Sequence, residues 1–213
     1  MEIILKKRVV PVLTLENVAE ALAVAEALVA GGLPVMEVTF RTAAAPDCIA
    51  AIRKSFPTVA VGAGTLLTTE QVKRAHDAGA QFGLAPGINA TVVRASLALG
   101  MPFYPGVMTP SEVELGLSLG CTLQKFFPAD LAGGVKMLKA FAGPYAHTGV
   151  KFIPLGGVNA TNAGEFLVLP NIAAIGGSWI ADRKLIVAKD WPTITKNARE
   201  AVAIAAATLR TLV

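Results

Sequence analysis

The feature that most restricts the fold of this chain is a recurrence. Short apolar runs return every 20 to 28 residues or so, at 9–13, 35–40, 59–66, 82–86, 103–107, 123–128, 152–156 and 172–180. An amphipathic, alanine-rich stretch follows each run. Strands that are apolar throughout are covered on both faces, and strands that alternate with helices make parallel sheets clad in helices. Eight such units in 213 residues predict a compact α/β chain, a (β/α)8 TIM barrel with few insertions. A doubly wound open sheet is the structural alternative. It would carry a glycine-rich phosphate loop after its first strand, where this chain has Val12-Leu13-Thr14-Leu15-Glu16.

Helix start and stop signals fit the same plan. Thr14-Leu15-Glu16-Asn17 leads into a helix over residues 18–30, which Gly31-Gly32 ends. Thr68-Thr69-Glu70-Gln71 opens a second helix that runs to Ala78-Gly79, and Thr109-Pro110-Ser111-Glu112 opens a third that stops at Leu119-Gly120. Asn159-Ala160-Thr161-Asn162 starts the helix after the seventh run, and a last helix over 193–212 closes the ring. No linker or low-complexity segment interrupts the chain, so residues 1–213 read as one domain.

Composition narrows the function classes. More than half of the residues are hydrophobic and 16% are charged, enough for a substantial core. The net charge of +4 is spread out, with Lys6-Lys7-Arg8 the longest basic block, which suits small anionic substrates and not nucleic acid. Cys48 and Cys121 stand alone and His76 and His147 are the only histidines, so the pattern offers no metal-ligand cluster. No segment approaches the ~18 uninterrupted apolar residues of a membrane helix, and no cleavage signal follows the basic start. The expectation is a soluble cytoplasmic protein with reduced thiols.

Lys125 is the odd residue. It stands inside the sixth apolar run, Thr122-Leu-Gln-Lys125-Phe-Phe-Pro128. Apolar surroundings favour the neutral form of a lysine amine, and a neutral amine attacks carbonyls to form a Schiff base. The plainer alternative is a strand-end lysine whose head reaches water. Period-two alternation puts Glu37, Thr39 and Arg41 on one face of the second run. Such a face is either a structural ion pair or, beside a buried lysine at one barrel mouth, a source of proton transfer. Gly156-Gly157 and Gly176-Gly177-Ser178 end the last two runs, where barrels hold phosphate on backbone N–H groups. Tight strand-to-helix turns would use the same glycines.

These residues carry a resemblance. The motifs Glu37-Val-Thr-Phe-Arg41-Thr42, Gly62-Ala-Gly-Thr65, Gly79-Ala-Gln-Phe82 with Pro86-Gly87, Pro105-Gly-Val107, Lys125-Phe-Phe-Pro128-Ala129 and Gly176-Gly-Ser178-Trp179 follow in order across nearly the whole chain. In them the chain resembles the class I aldolases that act on 2-keto-3-deoxy-6-phosphogluconate and 4-hydroxy-2-oxoglutarate. The resemblance implies that Lys125 forms the imine and Glu37 is the general acid/base. It implies that Arg41 and Thr65 hold the pyruvyl carboxylate, and that Pro86 and Phe127 line the pocket. The backbones of Gly156, Gly157, Gly177 and Ser178 would hold the phosphate of the aldehyde half. It implies keto-acid and aldehyde-phosphate substrates, no cofactor, no metal, no nucleic-acid or membrane partner, and a homotrimer.

Two positions depart from the family pattern. Leu155 stands where a threonine is usual, which removes a hydroxyl facing the substrate and adds volume, and Ala85 replaces a common serine. Leu155 bears on substrate preference, including a galactonate-type epimer, and leaves Lys125 and Glu37 in place. Residues 201–207 are apolar round most of a helix, which predicts a subunit interface unless alanine there is a neutral helix former. A different reading, from the same departures, is a barrel kept as a non-catalytic assembly scaffold.

Overall fold

The computed structural model of the protein describes residues 2–210. All eight apolar runs hold parallel strands: β1 (Val9–Leu13), β2 (Val35–Thr39), β3 (Ala60–Gly64), β4 (Gly83–Leu84), β5 (Phe103–Tyr104) with β6 (Gly106–Val107), β7 (Leu123–Phe126), β8 (Lys151–Pro154) and β9 (Ile175–Gly177). The helices are α1 (Glu2–Lys7), α2 (Val18–Ala30), α3 (Ala45–Ser55), α4 (Thr69–Asp77), α5 (Ala90–Ala98), α6 (Pro110–Ser118), α7 (Gly134–Tyr145), α8 (Ala163–Leu167), α9 (Arg183–Val187) and α10 (Trp191–Arg210). Three of the expected helix starts are realised by side chains, while Asn162 makes no side-chain cap for α8. Asn17 caps α2, and Thr68 and Thr109 form reciprocal capping boxes with Gln71 and Glu112. The last helix begins two residues earlier than the sequence indicates, and its expected end at 212 lies outside the described residues.

The closed eight-stranded ring requires a correction. The ladders form a six-stranded sheet, ordered β5-β4-β3-β2-β1-β9, and a three-stranded sheet, β6-β7-β8. One seam lies at Pro105, which has no N–H to give to a ladder and splits the fifth run into β5 and β6. The other lies in the eighth run. Phe152 makes a single bridge to Ile172, and regular pairing resumes only when Ile175 meets Val9 of β1. The fold is therefore TIM-barrel-like, a curled parallel sheet joined at two seams, and not one continuous ladder.

Alternation sorts the side chains into two cores. Outward residues such as Val9, Met36, Val38, Phe126 and Phe152 pack with the helices in one large cluster. Inward residues Val10, Val35, Phe82, Leu84, Tyr104, Leu123 and Ile153 fill the lower interior, and Ile4 of α1 joins them from below. The Tyr104 hydroxyl has no partner among the described residues, and burial pushes its pKa up to about 12, so the phenol stays neutral there. Phe82 stacks on Tyr104 with ring centroids 5.7 Å apart and occupies the space that a side chain at Gly62 would need.

Alanine in α10 is largely explained by packing. Ala198, Ala201 and Ala205 are buried, Val202 and Ile204 are partly covered against the core, and the outward positions Ala203, Ala206 and Ala207 are methyl groups.

Candidate active site

Where the strands end, the interior turns polar. A cavity of about 320 Å³ is lined by Val12, Glu37, Thr39, Arg41, Thr65, Pro86, Lys125, Phe127, Leu155, Gly156, Gly177 and Ser178. The structure thus brings together every site residue named from the sequence except Gly157. Gly157 does not line the cavity. Its α-carbon abuts Asp130, and its carbonyl accepts hydrogen bonds from Asn159 and Asn162.

Lys125 and Glu37 meet inside this cavity. Lys125 comes from β7, where it pairs in register with Gly106 on one side and Ile153 on the other. It does not snorkel: the residue is 5% exposed, and its Nζ lies 5.2 Å from the centroid of the Phe127 ring. Glu37 is fully buried, and its Oε1 is 3.6 Å from Lys125 Nζ. Neither carboxylate oxygen has a hydrogen-bond partner among the described residues. The carboxylate is placed by shape instead. It fills the space a side chain at Gly64 would take, so any larger residue there would displace it.

Arg41 stands at the edge of the cavity and is exposed. Its Nε donates to Thr39 Oγ1 at 3.1 Å and its Nη2 to Thr14 Oγ1 at 2.6 Å. Thr65, half-buried, has a φ of 59°, a left-handed backbone that β-branched residues rarely adopt. Leu155 is 3% exposed and lies against the α-carbon of Gly176, so its side of the cavity is aliphatic. Gly156 and the exposed Ser178 form the rim at the ends of β8 and β9.

Several contributors were not named as site residues from sequence. Thr39 carried a readable signal, because it shares a face with Glu37 and Arg41. Val12 carried only its inward parity on β1. Thr14 looked like part of a helix lead-in, and its contact with Arg41, 27 residues away, leaves no local trace. Gly64 read as punctuation.

Chemically, the arrangement presents a buried primary amine, an adjacent carboxylate and a cation at the rim. That set can trap a ketone as an imine and move protons beside it. Comparison with known proteins points the same way. The family model for KDPG and KHG aldolase matches residues 1–197. A 2-dehydro-3-deoxy-phosphogluconate aldolase of Treponema pallidum is 45% identical over 197 residues, covering 92% of this chain and 93% of that protein. A KHG/KDPG aldolase of Escherichia coli K12 is 44% identical over 194 residues, covering 91% and 90%. Among solved structures, a KDPG aldolase from Legionella pneumophila, with pyruvate captured as a covalent carbinolamine, superposes with a TM-score of 0.89. It is 40% identical and the match covers 93% of this chain and 96% of that one.

Proposed function

The chain belongs to the KDPG and KHG aldolase family, and on that premise we propose how its own residues carry out Schiff-base aldol chemistry. It is a carbon–carbon lyase of class I that reversibly cleaves 2-keto-3-deoxy-6-phosphogluconate to pyruvate and glyceraldehyde 3-phosphate. 4-Hydroxy-2-oxoglutarate, giving pyruvate and glyoxylate, is a second substrate. The observation that carries this reading is the buried pair Lys125–Glu37, 3.6 Å apart in a cavity of about 320 Å³.

Lys125 Nζ adds to the C2 keto carbon, and loss of water gives a protonated imine. Glu37 takes the proton of the C4 hydroxyl. The C3–C4 bond then breaks, its electrons move into the imine, and the aldehyde leaves. The enamine that remains takes a proton at C3, and water releases pyruvate from Lys125. The protonated imine acts as an electron sink, so no bare carbanion forms. Glu37 suits the shuttle role because no hydrogen bond among the described residues ties it to one orientation. Arg41 and Thr65 hold the pyruvyl carboxylate. Pro86 and Phe127 line the pocket, and Gly156, Gly177 and Ser178 receive the phosphate of the aldehyde half.

Borohydride reduction in the presence of pyruvate is the direct test. A covalent adduct on Lys125, absent in Lys125→Arg, is the expected result. An intact chain with no adduct sinks the aldolase reading and leaves the barrel as an assembly scaffold.

Leu155 favours a second reading of preference. An aliphatic wall offers the C4 hydroxyl no hydrogen bond, so discrimination between the gluconate and galactonate epimers should be weak. Restoring a hydroxyl with Leu155→Thr should shift the ratio of kcat/KM values between them by roughly fivefold, the worth of about 1 kcal/mol. An unchanged ratio would remove Leu155 from the specificity determinants.

As the unit of function we propose a single domain over residues 1–213 that works as a cytoplasmic homotrimer. Support for the assembly comes from apolar side chains exposed on loops at the C-terminal ends of the strands, Leu67, Met108 and Leu131, the last 87% exposed. Support for the compartment comes from the two buried free thiols, Cys48 and Cys121. Among the described residues no helix is long and apolar enough to cross a membrane.

A further inference from the structure

We propose that Thr14 and Thr39 are positioning residues for Arg41. They brace its guanidinium with neutral oxygens, so that its charge stays free for the carboxylate of the keto acid. The inference rests on the reading that Arg41 meets that carboxylate.

The hydrogen bonds have a direction. Thr39 Oγ1 donates its proton to the Leu13 carbonyl at 2.9 Å, which turns its lone pairs towards Arg41. Arg41 Nε donates to that oxygen and Arg41 Nη2 to Thr14 Oγ1, while the two hydroxyl oxygens lie 3.4 Å from each other. Two of the three guanidinium nitrogens are thereby fixed, and the third has no partner among the described residues.

The choice of brace matters electrostatically. Among the described residues no carboxylate lies within ion-pair distance of Arg41. An Asp or Glu brace would hold the guanidinium equally well and would neutralise it. Hydroxyls fix its direction and leave the full charge unspent. They are themselves anchored. The Thr14 carbonyl accepts from Arg183 Nη1 at 3.4 Å, and Arg183 grips Glu20 through both terminal nitrogens. Thr42 Oγ1 donates to the Leu15 carbonyl at 2.6 Å, tying the end of β2 to the loop after β1 a further time. An exposed arginine without such ties would sample many rotamers and meet the substrate in only a few of them.

The test is steady-state kinetics with the phosphorylated keto acid, together with the pyruvate dependence of borohydride trapping, on Thr14→Val, Thr39→Val and Arg41→Gln. Each threonine variant should raise KM, and the pyruvate concentration for half-maximal trapping, about fivefold to tenfold, with kcat changed less than about twofold. Thr14→Ser should return both to the parent values, which a merely structural loss would not do. In the Arg41→Gln background Thr14→Val should add nothing. Thr39 is buried, so if its variant folds poorly the part-exposed Thr14 decides. If Arg41→Gln raises KM and both valine variants leave it unchanged, the bracing role is overturned while the carboxylate reading stands. If Arg41→Gln itself leaves KM unchanged, the carboxylate reading is what fails.

Discussion

The two ends of the sheet interior are built to opposite purposes. At the lower end Ile4, Val35, Phe82, Tyr104, Leu123 and Ile153 interlock, and the Tyr104 hydroxyl among them stays neutral. A few residues along the same strands, the mouth holds a lysine and a carboxylate with almost no exposure and no shared hydrogen bond. Burying two ions is costly, and a close pair at best offsets that cost. The lower end supplies folding free energy and the mouth consumes some of it. Both ends use the same strands, and on β2 and β7 the inward side chains change from apolar to charged within two residues, from Val35 to Glu37 and from Leu123 to Lys125.

The sharpest way to break this comparison is to give the mouth the chemistry of the lower end. Lys125→Met with Glu37→Leu should abolish adduct formation and lower kcat by at least about 10⁴-fold. The same double variant should unfold at higher denaturant, by about 1–2 kcal/mol. A lower unfolding midpoint would mean that the ion pair is a net stabiliser and that the two ends do not differ as described.

The converse change removes packing from the lower end. Phe82→Ala strips the ring that fills the space over Gly62 and stacks on Tyr104, and should cost about 3–5 kcal/mol of stability. Well below its melting temperature the variant should keep kcat within a few-fold. A large drop in kcat for a fully folded sample would show that the lower packing reaches the chemistry.

Gly64→Ala tests whether the carboxylate is placed by shape. The new methyl group would occupy the position of Glu37 Oε1, and kcat should fall roughly 100-fold, about 2.7 kcal/mol of barrier. Glu37→Asp, being shorter, should cost less in the Gly64→Ala background than in the parent. Strict additivity of the two would refute the steric placement.

The smallest effect lies outside both ends. Arg183's hydrogen bonds hold the Glu20 carboxyl below the usual glutamate range. A lowered folded-state value means the pair's stabilisation is complete above about pH 4.3 and fades as the pH falls through that lowered value. Glu20→Gln should therefore cost a few tenths of a kcal/mol at neutral pH, as suits a part-exposed pair, and the difference should vanish in acid. A gap that widens on acidification would reverse the sign argued here.

Much of the plan was readable beforehand. The eight apolar runs hold the strands, because burial on both faces leaves an unbroken apolar signature. The α2 boundaries fell where Asn17 and Gly31 put them. Closure was harder. Pro105 was in plain view inside the fifth run, yet its effect depends on which neighbour needed the N–H. The eighth run changes partner midway, from Phe152 to Val9, and no local pattern marks that change. Helix α1 buries only Ile4, too little for a periodic signal. In the site, residue types that are out of place announced themselves, as a lysine and a glutamate in apolar strands do. Thr14 and Gly64 did not, since one acts through a contact 27 residues away and the other through an absent side chain.

The glycine at 64 and its counterpart at 176 carry a further consequence. Each is empty so that a neighbour can be large: Glu37 leans over Gly64, and Leu155 lies 2.7 Å from where a side chain at Gly176 would begin. Positions 155 and 176 thus share one volume, and the tolerance of either depends on the occupant of the other. With leucine at 155, alanine at 176 is a collision. With threonine at 155, the same alanine would meet a shorter neighbour and cost less. The wall that faces the substrate is therefore set by a pair, and libraries that vary one member alone will miss the combinations in which specificity can move.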